Sequence, residues 1–140
     1  MGFMLSDPAV VLRRLLAAQN AHDLDAFVAC FADDYRSEQP DHPGREFTGS
    51  DQVRRNWGAI FDAVPDFRAE LVRSAVDGDT VWSEWDWAGT RADGPLHMRG
   101  VIIMGVRDDR IAWGRLYISD VQDTGETIDE DIRQMTGGGG

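Results

Sequence analysis

Asp41 and His42, in the run D-H-P-G, are the residues of this chain best suited to moving a proton. An imidazole titrates close to neutral pH, and a neighbouring carboxylate favours its charged form. The pair reads as a general acid/base; the plain alternative is a histidine without a role in a rigid turn ahead of Pro43. A second source of chemistry is V-W-S-E-W-D-W, Val81 to Trp87. Successive side chains on a strand point to opposite faces, so Trp82, Glu84 and Asp86 share one side, and Val81, Ser83, Trp85 and Trp87 the other. With the acidic side inward, paired carboxylates in a dry pocket would raise one another's pKa and act as acid and base. With the aromatic side inward, the interior is an apolar slot. His22 falls in a helix connection and His97 on a strand; three scattered histidines give no metal spacing. No metal or cofactor is expected. Cys30 stands alone in an apolar run and reads as a buried structural thiol.

The elements that must position these groups follow from patterning. A chain of 140 residues, 42% hydrophobic and 28% charged, is expected to form one domain, over 1–136, with Gly137 to Gly140 as a flexible tail. Its formal net charge is −11 and all 14 cations are arginine, which argues against nucleic acid or an anionic membrane surface as partner. The start shows no basic, apolar leader and no stretch reads as a membrane span, so a cytoplasmic location is expected. Asp7-Pro8 reads as a helix start, followed by Val11, Leu12, Leu15, Leu16 and Gln19 at helical spacing. Asp25 to Asp33 reads as a second helix and Tyr35 to Gln39 as a short strand. Ser50 reads as the N-cap of a third helix that carries Val53, Trp57, Ile60 and Phe61 and stops at Pro65. Strands are predicted over 67–76, 80–90, 97–106 and 111–121, separated by turns rich in Asp and Gly, and 125–135 reads either as a short helix or as loose chain. Three helices followed by an antiparallel meander is an α+β pattern.

The segments Q-N-A-H-D-L-D-A-F-V-A-C-F-A-D-D-Y, F-T-G-S-D-Q-V-R-R-N-W and V-R-D-D-R-I-A-W-G-R-L-Y resemble the nuclear transport factor 2-like superfamily, and within it the SnoaL-like branch, over about residues 8 to 122. The resemblance implies a cone: a strongly curved, mainly antiparallel sheet with three N-terminal helices closing a pocket. Relatives include ketosteroid isomerases, polyketide cyclases and limonene epoxide hydrolases, and homodimers are common. Carried over position by position, the isomerase base falls on Gln39, its oxyanion-hole tyrosine on Leu15 and its protonated aspartate near Ile102. The cyclase acid falls on Leu116. The arginine and aspartate of the epoxide hydrolases fall on Trp85 and Trp87. Each family chemistry lacks its key residue here.

The same carry-over sets Ser83, Trp85 and Trp87 inside, with Ile102, Met104 and Leu116 from the neighbouring strands. Trp57 and Phe61 on the third helix would face them, as an aromatic box for a cyclic ligand or as plain core packing. Tyr35, Ser37, Gln39, Asn56 and Ser83 are the polar anchors available to such a ligand and to the indole N–H groups. The opposite face then carries Trp82, Arg99, Val101, Ile103, Trp113, Arg115 and Tyr117, a large apolar patch that reads as a homodimer interface. Two functions follow. One is a cofactor-free enzyme of the isomerase, cyclase, lyase or hydrolase type on a hydrophobic, cyclic or polyketide-like substrate, with His42 and Asp41 transferring the proton. The other is a non-catalytic binding protein for a small apolar metabolite.

Overall fold

Asp7 and Pro8 start the first helix as their chemistry requires: Asp7 Oδ1 accepts from the Ala9 amide at 3.0 Å, and Pro8 fills the first turn. The computed structural model describes residues 7–122 and 125–138. The sequence readings of the first six residues and of the tip of the glycine tail lie outside these residues. Helix α1 (Pro8–Ala21) buries Val11, Leu12, Leu15, Ala18 and Gln19 and ends at His22 in a left-handed conformation, φ 55°. His22 Nε2 donates to the Phe67 carbonyl at 2.8 Å, and its ring stacks on Phe61.

Helix α2 (Leu24–Val28) is shorter than the predicted 25–33, and strand β1 (Phe31–Glu38) begins earlier than Tyr35. Phe27 and Phe31 stand four apart and touch, with ring centroids 5.4 Å apart, so they mimic a helical stripe. In β1 the pairing to the last strand shifts register between Phe31 and Arg36, which breaks the alternation that marks a strand. Asp33 and Asp34 therefore sit on the exposed part of β1, facing Arg110 and Arg107, rather than closing a helix.

The turn expected at D-H-P-G forms as a 3₁₀ turn (Pro43–Arg45), and the two-residue strand β2 (Phe47–Thr48), not apparent in the sequence, leads to α3 (Ser50–Ala63). Its N-cap is Gly49 and not Ser50. Gly49 has φ 107°, which suits a residue without a side chain, and its amide is held by the Tyr35 carbonyl at 2.7 Å. The meander follows as β3 (Arg68–Asp77), β4 (Thr80–Arg91), β5 (Gly94–Arg107) and β6 (Arg110–Asp120), and then α4 (Ile128–Met135), capped reciprocally by Thr127 and Glu130. The sheet runs β2-β1-β6-β5-β4-β3, antiparallel throughout except for β1 against β6. It is an α+β fold with a curved, open sheet, and α1, α2 and α3 lie over its concave side.

Register decides what the interior contains. Val81, Ser83, Trp85 and Trp87 are buried, while Trp82 is 50% exposed. Glu84 meets Arg73 at 3.1 Å, and Asp86 meets Arg99 at 2.6 Å and His97 at 3.1 Å, all on the outer face. The register with the acids inward is therefore not the one formed. Partial burial pushes the Asp86 carboxyl up, but the hydrogen bonds and charges of Arg99 and His97 outweigh that and hold it below the usual carboxylate range. Ser83 pairs with Ile102, Trp85 with Gly100, and Ile102 with Leu116, so the concave face is continuous across β4, β5 and β6.

Candidate functional site

Between the helices and the concave face lies a cavity of about 190 Å³. Helix α1 contributes Leu15 and Gln19, α2 Phe27, and α3 Val53, Asn56, Trp57 and Ile60. Strand β1 contributes Phe31, Tyr35 and Ser37, followed by Gln39 and by Phe47 of β2. Trp85, Trp87, Ile102, Met104 and Leu116 form the floor. No lining side chain is charged. An apolar protein cavity of roughly 150 Å³ accepts a benzene ring, so this one has room for a small ring system.

The six positions onto which the family's catalytic groups were carried, Leu15, Gln39, Trp85, Trp87, Ile102 and Leu116, all line this cavity. Here those places hold a neutral amide, two indoles and three aliphatic side chains. Tyr35 is the one lining residue with a titratable proton. Burial pushes its hydroxyl up to about 12, only partly offset by its hydrogen bond with Ser37. It stays protonated across the physiological range and serves as a hydrogen-bonding group, not a base. A side chain at Gly114 would come within 2.6 Å of that hydroxyl, so glycine there keeps room for it.

Of the residues expected from sequence, Tyr35, Ser37, Gln39, Asn56, Trp57, Trp85, Trp87, Met104 and Leu116 come together around the cavity. Ser83 does not reach it: its hydroxyl donates to the Ile102 carbonyl at 2.7 Å and accepts from Trp85 Nε1 at 2.8 Å, which occupies it inside the sheet. Phe61 lies behind the wall, against His22, Phe27 and Trp57. Asp41 and His42 are exposed on the loop after β1, outside the lining and without a hydrogen bond to one another. That loop leaves the cavity wall at Gln39, whose carbonyl accepts from the His42 amide at 2.7 Å. Asn56 and Gln39 are held from outside: Gln52 donates to Asn56 Oδ1 at 2.7 Å and Arg45 to Gln39 Oε1 at 3.1 Å.

The helix-borne residues Gln19, Phe27, Val53 and Ile60, with Phe31 and Phe47, were not expected as site residues. Gln19 had a signal: it lies four positions after Leu15, on the same buried stripe, and is 2% exposed. Two polar atoms at this site lack any partner, Gln19 Oε1 and Trp87 Nε1. Among the described residues, no group of His, Cys, Asp or Glu side chains is placed to hold a metal ion, and no helix is long and apolar enough to cross a membrane.

Among curated proteins none matches the chain. Solved structures match it well. A candidate polyketide cyclase from Sinorhizobium meliloti is 25% identical over 79% of this chain and 94% of its own, with a TM-score of 0.62. An LEH-like epoxide hydrolase of M. tuberculosis is 20% identical over 80% of this chain and 82% of its own, at 0.70. An uncharacterized cystatin-fold protein from Novosphingobium aromaticivorans is 21% identical over 81% of this chain and 97% of its own, at 0.65. The SnoaL-like domain model matches residues 12–113, which run from α1 to the fourth residue of β6 and so take in the whole wall just described except Leu116. With the cone, its helical cover and its cavity in place, the chain belongs to the SnoaL-like domain family of the nuclear transport factor 2-like superfamily, a small-molecule-binding fold.

Proposed function

We propose that the cone takes in a neutral, largely apolar, ring-bearing molecule, of cyclic or polyketide-like character, and holds it between Trp57 on α3 and Trp85 and Trp87 on β4. The carrying observation is the lining itself: every position matched to a family acid, base or cation is occupied by an uncharged side chain. A charge entering such a cavity would lose its hydration with no countercharge to meet it, whereas a neutral ring loses little and gains apolar contact. Tyr35, Ser37, Gln39 and Asn56 orient the polar edge of the molecule. The test compares 2-naphthol with 2-naphthoate by calorimetry at neutral pH. The neutral probe is expected to bind at least about tenfold more tightly, a difference of about 1.4 kcal/mol. Equal affinity, or preference for the anion, would sink the reading.

A second reading keeps turnover: an isomerase, cyclase, lyase or hydrolase in which His42, supported by Asp41, moves a proton at the cavity mouth. Its support is that the loop bearing both departs from the wall at Gln39. A substrate turned over equally well by the His42→Ala variant would remove it.

The assembly is also proposed to be a homodimer. The outer face of the sheet combines Trp82 and Tyr117, exposed at 50% and 37%, with half-buried Val101, Ile103 and Trp113. Arg99 and Arg115 flank them. Patches of this kind on small domains mark association surfaces. Sedimentation equilibrium at micromolar concentration is expected to give twice the chain mass, reduced to the monomer by Trp82→Glu. A monomeric mass for the unaltered chain would count against the dimer.

A further inference from the structure

Gln19 and Trp87 carry the only buried side-chain polar atoms without a partner among the described residues, and both residues line the same cavity. Gln19 is 2% exposed and Trp87 8%. Buried polar groups in folded proteins are almost always hydrogen-bonded, and one that is not raises the question of what completes it. Trp85 shows the ordinary arrangement two residues away: its indole N–H is satisfied by Ser83, inside the sheet. Trp87 has no such neighbour. Its ring is packed edge-on against Trp57 and tilted against Phe67, so it is fixed in place by apolar contacts and not by a hydrogen bond. Gln19 lies on the buried face of α1, among Leu15, Ala18 and other apolar side chains.

We infer that these two groups are the specificity-determining anchors of the ligand. The molecule would offer an oxygen acceptor to Trp87 Nε1–H and an O–H donor to Gln19 Oε1. An indole N–H only donates, so the group facing Trp87 is a carbonyl, ether or hydroxyl oxygen. The Gln19 oxygen only accepts, so the group facing it is a hydroxyl, phenol or enol. The ligand class is therefore a hydroxylated or hydroxy-keto ring, uncharged, and not a plain hydrocarbon. This rests on the reading of the cone as a pocket for a neutral ring and adds to it the polar pattern the ring must carry. Discrimination by such groups is steep for a physical reason: a ligand lacking the matching atom leaves them buried and unpaired, as a hydrocarbon pocket never does.

The experiment is a ladder of three probes titrated by calorimetry: naphthalene, 2-methoxynaphthalene and 2-naphthol. The ether supplies an acceptor, and the naphthol supplies an acceptor and a donor. Affinity is expected to rise about five- to tenfold at each step, as one buried hydrogen bond is added. Trp87→Phe should flatten the first step, and Gln19→Leu the second, with naphthalene affinity in Gln19→Leu unchanged or improved. Circular dichroism verifies that both variants fold. If naphthalene binds and the ladder is flat, the anchors are refuted while the neutral apolar pocket stands. A ladder that survives both substitutions also overturns the assignment, because other groups would then read the oxygen. If none of the three binds, the pocket reading and the anchors fall together.

Discussion

Replacing Trp85 with alanine is expected to cost about 4 kcal/mol of folding stability, in the middle of the range for removing a large buried aromatic side chain. Trp85 is 1% exposed and stands at the centre of the concave face. Two losses combine in the substitution. The indole leaves a void next to an existing cavity of about 190 Å³, and the walls cannot collapse far without pulling β4 off β5. The relay Trp85 Nε1 to Ser83 Oγ to the Ile102 carbonyl is also broken, at 2.8 Å and 2.7 Å. A double-mutant cycle separates them. Ser83→Ala alone should cost about 2 kcal/mol, because it strands the indole N–H in a dry environment. In a Trp85→Phe background the same change should cost well under 1 kcal/mol, since no donor is left to strand. Urea unfolding of the four proteins gives the coupling directly. Strict additivity would show that the serine acts only by its size.

How much of this was legible beforehand depended on the kind of signal. The two faces of β4 were readable because V-W-S-E-W-D-W alternates without interruption and is bounded by D-G-D and A-D-G-P turns, while the choice of the face that lies inside came from the family resemblance and not from the alternation. The last turn, R-D-D-R, was equally plain: Asp108 and Asp109 adopt φ 53° and 61°, the conformation that Asp tolerates better than most residues. The end of α2 was not readable, because Phe27 and Phe31 imitate a helical stripe and the irregular pairing of β1 hides its alternation. Strand β2 is two residues long and has no periodicity to detect. The strand-borne half of the cavity was within reach, since period-2 alternation states which residues share a face. Of the helix-borne half, Asn56 and Trp57 were within reach, but Phe27, Val53 and Ile60 were not, because they look like any core residue until the angle at which α2 and α3 cross the sheet is known. Ser83 shows the reverse error: a lone serine among tryptophans reads as a ligand anchor, and only the structure shows it already bonded on both sides. The unpartnered state of Gln19 and Trp87 is a property of three-dimensional surroundings and leaves no trace in either residue's sequence neighbours.

Gly100→Ala is expected to be nearly as damaging although it adds only one methyl group, at about 3 kcal/mol, the upper end of the usual cost of overpacking. A side-chain carbon at Gly100 would stand 2.0 Å from the Tyr117 carbonyl oxygen and 2.6 Å from the Ile118 Cα. These are backbone atoms of the adjacent strand, so no rotamer change can make room, and β6 itself must move. Gly100 pairs with both Trp85 and Ile118, at the place where the concave faces of β4, β5 and β6 converge. The close approach of two backbones there is what allows the sheet to turn inward around a ligand-sized space. Pushing β6 away would also displace Leu116, two residues before Ile118, from the cavity floor. The variant should therefore lose affinity for neutral ring probes as well as stability. Gly44→Ala is the matched control, because nothing lies within 4 Å of the added carbon; it should be neutral within about 0.5 kcal/mol. Equal urea midpoints for the two variants would mean that β5 and β6 are not so closely apposed, and that the curvature of the sheet has another origin.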